Sequence, residues 1–138
     1  MKRDPRLRLL SSDHHQALVM VRKIQNACKS GEIDLSLIDE VRAFCMDELK
    51  PHFALEENHL LPILSKYGEN NLVARTLSEH KQMMNLATHL EQKNALQQLS
   101  VLLKQHVKFE EQVLFDIIQK KFSDAELNHV CSHFANIE

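Results

Sequence analysis

Residues 52–64, HFALEENHLLPIL, and residues 106–118, HVKFEEQVLFDII, are two copies of one pattern separated by 54 positions. Both read H-x-x-x-E-E, and both carry apolar residues eight, nine, eleven and twelve positions after the His. Residues four apart on a helix lie one above the other, so His52 with Glu56, and His106 with Glu110, share a face. Leu60, Ile63 and Leu64 continue that face in the first copy; Leu114, Ile117 and Ile118 continue it in the second. The imidazole and the first carboxylate of each copy therefore belong to the buried stripe of an amphipathic helix. Glu57 and Glu111, one position on, are rotated off it, as outer acceptors for a ligand N–H or as solvated surface.

A shorter correspondence flanks this one. Asp13-His14 and Glu79-His80 are each followed by apolar residues at the third, fourth, seventh and tenth positions. These are Ala17, Leu18, Val21 and Ile24 after His14, and Met83, Met84, Ala87 and Leu90 after His80. His15 offers the alternative register, but its seventh following residue is Arg22, which favours His14 as the inward side chain; a distorted helix start would keep His15 in play. Asp13 and Glu79 suit either an outer acceptor or a helix cap. The chain thus reads as two similar halves, each a His helix followed by an H-x-x-x-E helix.

A single H-x-x-x-E is weak evidence, since such pairs are common on exposed helix faces. Six residues directed into one core are a different matter. A bare buried carboxylate costs several kcal/mol, and no Lys or Arg shares these stripes to offset it. A domain stable by only about 5–15 kcal/mol does not easily carry two of them. Four neutral imidazoles and two carboxylates are too many donors for one tetrahedral zinc. Shared between two ions, they give each metal two His and a part in two bridging carboxylates, a mixed N/O set suited to Fe or Mn, with Zn possible. Two iron ions are the reading adopted.

Composition sets the frame for that site. The 138 residues fit a single domain spanning 1–138, with 43% hydrophobic and 26% charged residues. A formal charge of −2 gives no electrostatic footprint for nucleic acid or an anionic membrane. Two Gly and three Pro are scarce material for β-turns. Ser11, Ser12 and Asp13 are expected to cap a first helix ending at Gly31, and a second should run from Asp34 to Tyr67-Gly68 with kinks or breaks near Pro51 and Pro62. A third is expected from Asn70 to about Gln92 and a fourth from Ala95 to Lys121. Ser123 to Glu126 is a capping box opening a short fifth. The expected fold class is all-α, an up-and-down four-helix bundle with a short fifth C-terminal helix.

Cys28, Cys45 and Cys131 form no C-x-x-C pair and read as core residues in a reducing compartment. The basic N-terminus lacks the apolar region of a signal peptide, and no apolar run reaches the ~18 residues of a membrane span, so the expected location is cytoplasmic. His59, His89, His129 and His133 have no matched partner in the other half. The H-x-x-x-H spacing of His129 and His133 is by itself a weak metal signal.

The order H, H-x-x-x-E, H, H-x-x-x-E on successive helices resembles the hemerythrin-like (HHE cation-binding) family, from about Leu9 to Ile118. The resemblance implies a left-handed four-helix bundle around a non-haem diiron centre with an oxo or hydroxo bridge. The implied metal ligands are His14, His52, Glu56, His80, His106 and Glu110, the two Glu bridging. The chain departs from the oxygen-carrying members at Met84, where they have a second His, and at Glu110, four residues after His106, where they have an Asp five residues on. One fewer imidazole implies a more open and more reactive centre. The expected function is binding of, or reaction with, O2, nitric oxide or peroxide, or iron handling. The alternative is a metal- or gas-responsive regulatory module. Neither catalytic residues nor a protein partner can be read from the sequence.

Overall fold

The computed structural model describes residues 2–135, and among them every regular element is helical. Asp4 accepts the Arg6 N–H at 2.8 Å and, with Pro5, opens a 3-10 turn, Pro5–Leu7, that runs directly into helix α1, Arg8–Ser30. The cap therefore lies upstream of Ser11–Asp13, which fall inside the helix and are free for other partners. Gly31 ends α1 in the left-handed conformation, φ 76°, as its position after the last apolar residue implied.

Helix α2 spans 35–66 and is capped by Asp34, which accepts the Leu37 N–H at 2.9 Å. Two π-helical turns, Cys45–Leu49 and Glu56–Leu60, interrupt it. Pro51 and Pro62 each follow one of these turns, which is the form the expected irregularities take. Helix α3, Asn70–Ala87, stops short of Gln92 because the chain turns at Thr88, whose hydroxyl donates to the Asn85 carbonyl at 2.7 Å. Asn94, at φ 68°, reverses the chain into α4, residues 95–121, which contains a third π-turn at Glu110–Leu114. Helix α5, Asp124–Ala135, has the expected capping box: the Ser123 N–H donates to Glu126 Oε1 at 2.8 Å and the Glu126 N–H to Ser123 Oγ at 3.2 Å.

Two apolar layers fill the interior. One contains Ala17, Val21, Ile24, Val41, Phe53, Met83, Leu99 and Leu103; the other contains Leu7, Leu10, Leu60, Leu64, Phe109, Leu114, Ile118, Val130 and Phe134. Helix α1 passes from the second layer to the first, α2 from the first to the second, and α4 likewise from the first to the second. In α3, Leu72 and Val73 border the second layer and Met83 and Ala87 lie in the first. Between the layers is a belt of buried polar side chains. Helix α5 packs on α1 and α2 and closes the second layer. No described helix is long and apolar enough to cross a membrane. Cys28, Cys45 and Cys131 are all unpaired.

Candidate metal centre

The polar belt consists of His14 from α1, His52 and Glu56 from α2, His80 from α3, and His106 and Glu110 from α4, all at most 5% exposed. All six residues singled out by the repeat are thus brought together. His15 is exposed, so the register that puts Val21 on the inner stripe is the one adopted.

The inner atoms sort into two overlapping sets. His14, His52, Glu56 and Glu110 present ligand atoms all within 4.8 Å of one another, and so do His80, His106, Glu56 and Glu110. Both carboxylates belong to both sets. Imidazole Nε2 atoms approach them at 2.7 Å (His14 to Glu110), 3.1 Å (His80 to Glu56), 3.5 Å (His106 to Glu110) and 3.7 Å (His52 to Glu56).

The outer nitrogens are all committed. His14 Nδ1 donates to Glu111 at 2.7 Å, His52 Nδ1 to Asp13 at 2.9 Å, His80 Nδ1 to Glu57 at 2.8 Å and His106 Nδ1 to Glu79 at 2.7 Å. Each carboxylate comes from a different helix than the imidazole it holds. The four bonds therefore run α1 to α4, α4 to α3, α3 to α2 and α2 to α1, a closed ring around the bundle. With every Nδ1–H fixed outside, the Nε2 of each ring faces inward; those of His52, His80 and His106 have no partner there, as a metal ligand needs, while His14 Nε2 donates to Glu110 at 2.7 Å in the metal-free belt. Two of the outer acids are themselves braced: Ser11 donates to Glu111 at 2.9 Å, and Arg75 to Glu79 at 3.0 Å. Asp13 and Glu79 thus act as acceptors rather than caps, and Glu57 and Glu111 take the same role.

The inner side of the belt is not satisfied by protein. His52 Nε2, His80 Nε2, His106 Nε2, both oxygens of Glu56 and Glu110 Oε2 are buried without a hydrogen-bond partner. One unmet buried polar group costs about 1–3 kcal/mol, so six together are comparable with the whole net stability of a domain of this size. Imidazole nitrogens and shared carboxylate oxygens, converging in two sets, are the donors a pair of cations requires, so the residues present fit such a centre.

Without a cation the belt is electrostatically divided. Burial, and then the charge of Glu110, push Glu56 well above the usual carboxylate range. Burial also pushes Glu110 upward, but the imidazoles of His106 and His14 outweigh it and hold Glu110 low. Burial lowers His14, yet its bonds to Glu110 and Glu111 raise it to about 10. Burial is the largest influence on His80 and holds it below its ordinary value.

Aromatic rings wall the belt. His14 stacks on Phe115 at 5.3 Å and His80 on Phe53 at 3.7 Å, while Phe134 of α5 meets His52 edge-on at 5.4 Å. Phe109 instead packs under the Arg75 guanidinium, 3.9 Å from the ring centre. Phe115 lies nine positions after His106, among the repeat's apolar residues but beside the face that Leu114, Ile117 and Ile118 continue; Phe134 arrives only through the docking of α5. A cavity of about 280 Å³ opens beside the belt, lined by His14, His52 and His106 together with Asp13, Asp47 and Glu48.

Residues 6–118 match the family model described as the hemerythrin HHE cation binding domain. No curated protein and no solved structure matches the chain.

Proposed function

The chain belongs to the hemerythrin HHE cation-binding family, and from that premise we propose a non-haem diiron protein. Its centre binds or reacts with O2, nitric oxide or peroxide, or handles iron. The single observation that carries the reading is the convergence of two buried donor sets that share Glu56 and Glu110, with six of their inner atoms lacking any partner. His14 and His52 would serve one ion, and His80 and His106 the other. The ligand chemistry favours Fe, with Mn or Zn able to occupy the same donors. A pair of iron ions, when bound, supplies open positions for a small ligand and the capacity to exchange electrons with it.

The chain's own residues do the rest. The ring of outer carboxylates orients the imidazoles before a metal arrives. Phe53, Phe115 and Phe134 limit water around the centre. The cavity offers a route to His14, His52 and His106, and the carboxylates of Asp13, Asp47 and Glu48 on its wall favour passage of a cation. Burial and Glu110 shift Glu56 toward its protonated form in the metal-free belt, so loading would be expected to displace a proton there. The alternating order in which the long helices meet the two apolar layers supports an up-and-down four-helix bundle in one domain. Three unpaired cysteines accord with a cytoplasmic setting.

Anaerobic loading with ferrous iron, followed by exposure to O2, nitric oxide and peroxide in turn, tests this reading. We expect near-ultraviolet charge-transfer bands that change with at least one of these ligands. Loaded protein whose spectrum is indifferent to all three leaves iron handling as the role, and protein that takes up no iron overturns the proposal.

A second reading, a metal- or gas-responsive regulatory module, is favoured by the contact of Phe134 with His52, which ties α5 to the centre. It requires that metal removal speed hydrogen exchange in α5, and unchanged protection would dismiss it.

A further inference from the structure

Three histidines outside the belt converge where α5 packs on α2. His59 lies within the π-turn Glu56–Leu60, and His129 and His133 are one turn apart on a single face of α5. One ligand nitrogen from each falls within 4.8 Å of the other two. The His59 and His133 rings stack at 3.6 Å, and His129 lies 4.5 Å from His133 and 5.4 Å from His59. Among the described residues, none of the three rings forms a hydrogen bond to a protein group. Among the described residues no carboxylate bonds to any of the three rings, so their nitrogens are not committed to a protein partner. His129 is exposed and His59 and His133 are half-buried, so the cluster is open to solvent.

We propose that His59, His129 and His133 form a second, mononuclear site for a borderline divalent transition-metal ion, Zn2+ in the first instance, with a fourth position open to water. Three neutral nitrogens without a bridging carboxylate make a donor set unlike that of the central belt and suited to zinc. Tetrahedral zinc with Zn–N near 2.0–2.1 Å places its nitrogens about 3.3 Å apart. The nitrogens, now within 4.8 Å of one another, must close toward that spacing and the stacked His59 and His133 rings must turn out of parallel, both by side-chain rotation at an open site. The ion would pin α5 to α2, and the residue after His133, Phe134, packs on His52 of the centre. The site is independent of whether the central belt holds iron.

Untagged full-length protein, first treated with ferrous iron, is titrated with Zn2+ by calorimetry beside His129→Gln and His133→Gln variants. Neither substituted side chain is buried, so both variants should fold. We expect wild type to bind about one zinc ion more than either variant, and zinc to slow hydrogen exchange in α5 of wild type alone. Equal zinc uptake by wild type and variants, at any total, overturns the proposal. Because only the difference is read, the outcome stands apart from the iron content of the belt.

Discussion

Without a cation between them, burial and the charge of Glu110 push Glu56 upward, while the imidazoles of His106 and His14 hold Glu110 low. The His14 imidazole is raised from 6.5 to about 10 in the metal-free fold. A group whose value rises on folding stabilises the fold fully below its unfolded value and ceases to do so above its folded one. Metal-free protein should therefore lose stability between pH 6.5 and about 10, and urea titrations across that window should show a slope that His14→Gln reduces. A second expectation concerns the outer ring. Glu111 accepts from His14 Nδ1 at 2.7 Å without being an inner ligand. Glu111→Gln should leave the fold intact and weaken metal affinity by about 10–100-fold, as measured by competition with a chelator. Unchanged affinity would mean that the ring only fastens helices together.

At the scale of elements, the π-turns link the backbone to the centre. Those at Glu56–Leu60 and Glu110–Leu114 begin at the two shared carboxylates, in equivalent positions of the two halves. Pro62 follows the first, whereas Asp116 holds the equivalent place after the second, so proline is not what makes these turns. Pro62→Ala should accordingly change stability by less than about 1 kcal/mol and keep the metal content of wild type; loss of metal would show that the ring of Pro62 sets the turn. The sequence reading missed π-turns because an apolar period near 3.6 continues through them with little change. It also misplaced the cap of α1, since Ser11–Asp13 match a capping composition while Asp4-Pro5 lies upstream and does the capping. The sequence marks no stop for α3 before Gln92, because the turn at Thr88 depends on its hydroxyl bonding the Asn85 carbonyl.

Across the whole molecule, the H-x-x-x-E repeat exposed the belt because four-residue spacing is a local property. The outer ring was legible only in part: acids adjacent to the inner residues could be named, but not which helix each would reach. The His59, His129 and His133 cluster was not legible, since it exists only once α5 docks on α2. The belt also places six unmet buried atoms between two apolar layers in the metal-free fold. Chelation should lower the melting temperature by more than about 10 °C, since a loss of several kcal/mol shifts a domain of this size by a few degrees each. The central claim, two donor sets sharing two carboxylates, is tested most directly by elemental analysis of untagged protein from iron-replete cells. About two iron ions per chain, falling with Glu110→Ala and unaffected by His133→Gln, are expected. Protein that retains no metal, and gains no stability when ferrous iron is added anaerobically, would contradict it.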